Sequence, residues 1–233
     1  MSLGNAQEVG EARIRALLTD RLTGRAAAWL EAASRKAAAD PGALGVLFPQ
    51  AGLRCGRAPL GTPCSGGGAG QRAVTQALYW TVDDAARTIL FAAGAAAEGA
   101  GRLAAWLYGN GDAAERRSVL RALGTVASGP QAVGLCAQAL SANDLRLVAA
   151  ALGPYGARHL DAHTWRHGVL KCLHYRVPLR AVGRLEERTD AELIRMARSY
   201  ARELRSAGRS VPGDLHSLTQ GDLIPTAREV PTH

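Results

Sequence analysis

Several groupings in this chain could do chemistry. Asp83 and Asp84 stand with Trp80 and Arg87 around one expected helix start. Two carboxylates held together can do acid–base work when their surroundings split their pKa values. Consecutive helical side chains, however, point about 100° apart. The simpler expectation is two acids favoured by the positive end of a helix dipole, with Asp83 paired to Arg87 one turn on. His159, His163 and His167 recur every four residues, with His174 close behind. A histidine pair at that spacing on one helix can chelate a transition metal. Asp161 reads as a helix cap, which puts His159 outside the helix, and no acid or cysteine accompanies the run, so no metal and no other cofactor is expected. Cys172 follows G-V-L-K on an apolar helix and reads as a packed thiol, not as a nucleophile served by His167 or His174.

The remaining groupings are cationic. Gly66–Gly70 resembles a phosphate loop only superficially: it lacks the Lys-Ser/Thr and the preceding strand. Beside it, Arg54 and Arg57 could close on an anionic group. Arg195, Arg198, Arg202, Arg205 and Arg209 recur at steps of three and four. Leu193, Ala197, Tyr200 and Leu204 occupy the opposite side of the same helix. Such a stripe is either a solvated face or a surface for phosphate groups of a nucleic acid, a lipid or a partner. Trp165 and Arg166 read as an anchor between packed helices, and Lys171, on the same segment, joins them as a candidate contact.

Helices must position all of these. Alanine and leucine lead the helix-propensity ranking and dominate here, while β-branched and aromatic residues are scarce. A first helix is expected from about Ala6 to Ala39, then a short one from Asp40-Pro41 to about Phe48-Pro49. Residues 51–71 are rich in glycine and proline and are expected to be a loop. A second helical block spans Ala73 to Tyr108, apolar almost all round and therefore central. Caps at Asp112 (with Glu115), Asn143, Asp161 and Thr189 (with Glu192) start further helices, and a helix from Gly129-Pro130 runs through Leu140. The rhythm predicts an all-α fold of antiparallel helix pairs, with a HEAT-like stack in the second half. The expected division is residues 1–111, a part at 112–208 packed on it in one continuous domain, and an extended tail at 209–233.

Composition narrows the class. The 233 residues are 47% hydrophobic and 21% charged, ordinary for a globular protein. No stretch suits a membrane-spanning helix, and no secretory leader is expected at the start of the chain. The four cysteines lack metal-like or redox-like spacing, so reduced thiols in a cytoplasmic protein are expected. Residues 112–208 hold 15 basic and 9 acidic side chains, a net of +6 within the whole chain's +8.

Five segments carry a family resemblance: R-C-G-R-A-P-L (54–60), W-T-V-D-D-A-A-R (80–87), Y-G-N-G-D-A-A-E-R-R-S-V-L-R-A-L (108–123), N-D-L-R-L-V-A-A-A-L-G-P-Y (143–155) and H-L-D-A-H-T-W-R-H-G-V-L-K-C (159–172). In this order they resemble the EboA family of the bacterial ebo operon, over residues 13 to 212. The resemblance implies a cytoplasmic, all-helical protein acting in secondary metabolism. Its neighbours would be a prenyltransferase, a metal-dependent hydrolase, a sugar-phosphate-isomerase-like barrel and a dehydroquinate-synthase-like protein. It implies a role in processing or moving precursors toward the periplasm, and no catalytic residues. The expected function is a non-enzymatic binding or adaptor component, with a protein or a small metabolite of the same pathway as partner. The alternatives are an enzyme using Arg54, Arg57 and Asp83 on a phosphorylated or prenylated molecule, and a helical-repeat nucleic-acid binder. Nucleic acid is disfavoured because few aromatics interleave with the basic residues.

Overall fold

The alanine- and leucine-rich segments do fold as helices. A computed structural model of the chain describes residues 9–60, 74, 77–127 and 129–220. Among them it forms thirteen α-helices, three single 3-10 turns and no β-strand. The first six helices are α1 (Glu11–Thr19), α2 (Gly24–Ala39), α3 (Leu44–Cys55), α4 (Val82–Glu98), α5 (Ala100–Asn110) and α6 (Ala113–Val126). The rest are α7 (Val133–Ser141), α8 (Leu145–Ala151), α9 (Pro154–His159), α10 (Ala162–His174), α11 (Leu185–Arg188), α12 (Ala191–Ser206) and α13 (Gly213–Gln220).

Helix α4 is the axle. Every residue from Val82 to Phe91 is buried, and the helix touches α1, α2, α3, α5 and α6. A helix without a polar face has to be enclosed by others. From α6 onward each helix packs on near neighbours in the chain: α6 on α8 and α9, α8 on α7 and α10, α10 on α12, and α12 on α13. The buried apolar residues form one continuous cluster from Val9 to Leu218. Two short hydrogen bonds join the ends of the segment between α3 and α4. Leu60 N donates to Trp80 O at 2.7 Å, and Val82 N to Ala58 O at 2.8 Å.

Several boundaries differ from the expectation. The first helix is two, because the Thr23 side chain accepts from Ala26 N and opens α2 afresh. Helix α3 continues through Pro49 to Cys55, since Phe48, Ala51 and Gly52 bury on one side and hold the turn that proline weakens. The block ending at Tyr108 divides at Gly99, whose φ of +85° is a conformation that glycine tolerates best. Asp144 caps α8 in place of Asn143, and Asp190 caps α12 in place of Thr189. Both aspartates also bind an arginine, Arg146 and Arg166 respectively. Residues 213–220, expected to be extended, form α13, whose Leu215 and Leu218 are buried. Residues 61–71 of the expected loop, including Gly66–Gly70, lie outside the described residues.

Close approach in the second half can be tested with glycines. A Cβ on Gly156 would sit 1.8 Å from the Ala151 carbonyl oxygen. Gly156→Ala is expected to destabilise the protein by about 3 kcal/mol or more in urea unfolding, because the backbone has to move. Gly134, also helical, has nothing within 4 Å of its would-be Cβ. Gly134→Ala is expected to stabilise by up to about 1 kcal/mol.

Candidate functional site

The two neighbouring acids meet different fates at the start of α4. Thr81 precedes the helix, and its N–H donates to Asp84 Oδ2 at 3.0 Å. Its hydroxyl oxygen lies 2.5 Å from Asp83 Oδ1 and 2.7 Å from Asp84 Oδ2. Asp83 Oδ2 accepts from Arg87 Nη1 at 2.6 Å, the expected pair one turn apart. Arg87 Nε donates to the Phe48 carbonyl at 3.0 Å, and its guanidinium lies over the Phe48 ring. Asp84 points the other way, onto α6. Its Oδ1 accepts from Arg117 Nε and Nη2 at 3.2 and 3.0 Å and lies 2.7 Å from Ser118 Oγ. Its Oδ2 accepts from Arg121. Asp83, Asp84 and Arg87 are each at most 1% exposed, and Arg117 and Arg121 at most 4%.

This junction is closed and internally satisfied. Burial works to raise the Asp84 pKa, but Arg121 and Arg117, helped by the Ser118 and Thr81 hydroxyls, outweigh it. They hold the carboxyl well below the usual carboxylate range. A carboxylate so held does not exchange protons near neutral pH. Cys55 lies close to the junction, and burial, reinforced by Asp83, pushes its thiol up to about 11. Burial alone pushes Cys136 and Cys172 up to about 12. These thiols stay protonated, which removes their nucleophilic character.

The other sequence candidates are scattered. Arg54 and Arg57 are exposed at the end of α3, and Arg57 folds back over Gly52. Trp80 is buried beside the junction, and Trp165 is buried beneath Arg188, whose guanidinium sits 4.6 Å from its ring centroid. Neither indole N–H has a partner among the described residues. Arg166 pairs with Asp190. Lys171 Nζ donates to the carbonyls of Leu140 and Ala142 at 2.6 and 2.8 Å, closing the end of α7. His163 and His167 lie side by side with ring centroids 4.4 Å apart and planes tilted by 49°, and the described residues hold no group of three or more metal-ligating side chains.

The arginine stripe is brought together. Arg195, Arg198, Arg202 and Arg205 line an open groove of about 490 Å³ between α12 and α13, facing Thr219 and Gln220. Arg198 Nη2 donates to the Thr219 carbonyl at 3.2 Å, and Arg195 pairs with Glu192. Arg209 leaves the stripe, because α12 stops at Ser206 and Gly208 turns the chain at φ +64°. On the opposite side of α12, Leu193, Ala197 and Leu204 are buried, as their spacing predicts, while Tyr200 of the same expected stripe is only half-buried. A larger depression of about 880 Å³ lies along α4, α5 and the end of α6, lined mainly by alanines and glycines.

Sequence reasoning missed Arg117, Ser118 and Arg121 in the junction. Their spacing on α6 shows one helical face, but nothing local says that Asp84 lies opposite. It also missed Thr219 and Gln220, because α13 was not expected.

Three comparisons with known proteins add to this geometry. A family model described as "Metabolite traffic protein EboA" matches residues 11–220. The comparisons with curated proteins and with solved structures found no match.

The junction makes a stability prediction. Asp84→Asn leaves Arg117 and Arg121 buried without their counter-charge and is expected to cost about 3–5 kcal/mol in chemical denaturation. The Asp84 pKa is lower folded than unfolded. Its contribution is therefore full above the unfolded carboxylate value near pH 4 and fades as pH falls below it. Between pH 4 and pH 2 the stability of the wild type is expected to fall more steeply than that of Asp84→Asn.

Proposed function

The chain belongs to the EboA family, whose description is that of a metabolite traffic protein, and from that premise we propose that it is a non-catalytic binding component. It takes an anionic metabolite of its pathway, or a protein that carries one, on the face formed by α12 and α13, and acts in the cytoplasm on precursors of secondary metabolism. Its second half serves as a HEAT-like stack, one continuous domain with the first half, which presents this face.

One observation carries the proposal. The acids and arginines that could have formed a catalytic centre are sealed and paired with one another, whereas the α12 arginines open to solvent in a groove whose described lining holds no acid, cysteine or histidine. Binding without turnover is what such a surface can do. Neighbour-on-neighbour packing from α6 to α13 supports the stack. Among the described residues no helix is long and apolar enough to cross a membrane. The enzyme alternative draws less support, since Arg54 and Arg57 are not brought together with Asp83. The nucleic-acid alternative lacks aromatic side chains in the groove.

The test is thermal-shift screening of the full chain against a panel of phosphorylated and carboxylated metabolites, followed by mass spectrometry of each ligand. Ligands that raise Tm are expected to be recovered unchanged. The Arg198→Gln, Arg202→Gln, Arg205→Gln triple variant is expected to lose the shift. Its own stability should change by no more than about 0.5 kcal/mol per site, as at other exposed positions. Conversion of a ligand by the wild type would overturn the proposal. So would duplex DNA bound more tightly than about 1 µM near physiological salt and released by the triple variant.

A further inference from the structure

The groove has a more specific chemistry than general attraction for anions. From Arg195 to Arg205 the stripe spans about 15 Å of helix, at 1.5 Å per residue. Its members differ in what already satisfies them. Arg195 is taken by Glu192, and Arg198 is held by the Thr219 carbonyl. Arg202 and Arg205 are exposed, and among the described residues neither has a hydrogen-bond or acidic partner. Among the described residues no carboxylate lines the groove. Glu203, next to Arg202 in sequence, instead lines the depression on the other side of α12, with Lys171 and His174. Two unneutralised guanidiniums one turn apart, beside a third that is fixed, repel one another until an anion comes between them.

Ligand class follows from shape and from the fork. A guanidinium offers paired N–H donors that match two phosphate oxygens, and it stays charged at every physiological pH. Two forks one helical turn apart are satisfied together by two adjacent anionic groups, and only in part by one. A volume of about 490 Å³ suits a small molecule. Among the described residues the lining has no aromatic ring on which a base could stack. We propose that the groove is a binding site for the diphosphate group of a small molecule, with Arg202 and Arg205 grasping the phosphates and Arg198 fixed beside them. This inference rests on the reading of the α12–α13 face as a binding surface.

Isothermal titration of the full chain with inorganic pyrophosphate tests it. One site is expected, with orthophosphate and citrate each binding at least tenfold more weakly and pyrophosphate affinity falling as salt rises. Arg202→Gln with Arg205→Gln is expected to lower pyrophosphate affinity at least tenfold, and Arg202→Lys with Arg205→Lys to fall between, since lysine keeps charge but loses the fork. The ligand-free Gln double variant is expected to melt at the wild-type temperature or above, because it removes repulsion. No saturable pyrophosphate binding in the millimolar range, citrate binding as tight as pyrophosphate, or wild-type affinity in the Gln double variant would each overturn the inference. Orthophosphate released from pyrophosphate would overturn the non-catalytic proposal and leave the site standing. Absence of both binding and release would remove the site and leave that proposal untouched.

Discussion

A single carboxylate, Asp84, holds the start of the central helix to α6, the neighbour it packs against most extensively. It receives the Thr81 N–H and two arginines of α6, so the N-terminus of α4 and the middle of α6 cannot separate without exposing charges to an apolar interior. Burying ions costs several kcal/mol each, which good geometry repays only in part, and losing one partner is worse than never having the pair. The rest of the fold is arranged around that constraint. Helices α1, α2, α3, α5 and α6 pack about α4, and α6 hands the packing on to α8 and α9, from which the later helices follow. The arginine groove therefore stands at the far end of a chain of contacts that begins at Asp84.

Much of this was legible in the sequence where the signal is local. The D-x-x-E start at Asp112 forms the reciprocal cap it predicts, with Glu115 N to Asp112 Oδ1 at 2.8 Å and Asp112 N to Glu115 Oε2 at 3.1 Å. Asp83 pairs with Arg87 because both lie on one helix. The apolar side of α12 is buried where its period puts it. Failures occur where a distant partner chooses between local equals. Asn143-Asp144 and Thr189-Asp190 each offer two competent caps, and in each the aspartate that also binds an arginine takes the position; for Asp190 that arginine, Arg166, is 24 residues away. Asp84 and Arg121 are 37 residues apart, and no helical period connects them. Helix α13 was missed because the prolines around it and its own polar residues hide two leucines, Leu215 and Leu218, that become buried as α13 packs on α12.

Arginine serves two opposite ends in this molecule. In the interior each guanidinium is matched by carboxylates, carbonyls or an aromatic face, and the result is rigidity without reactivity. On α12 the same group is left partly unmatched among the described residues, and it is this unmatched charge on which the proposed binding surface rests. Residue type alone does not separate the two cases. The decisive difference is whether the fold supplies the counter-charge, which for Arg117 and Arg121 it does from another helix.

Lysine is nearly absent from the sequence, and its placement has a consequence for how the protein can be addressed. Of the two lysines, Lys171 has its ammonium bound to two backbone carbonyls, while Lys36 is exposed on α2. Acylation, and the amine-directed reagents that imitate it, thus find Lys36 far more readily than any amine near the cationic groove. Among the described residues the charge of that groove belongs entirely to guanidiniums, which neither acetyl transfer nor a swing in cellular pH can switch off. It is a permanent feature of the surface, and occupancy can be governed only by ligand supply, by competing ions or by a protein that covers it.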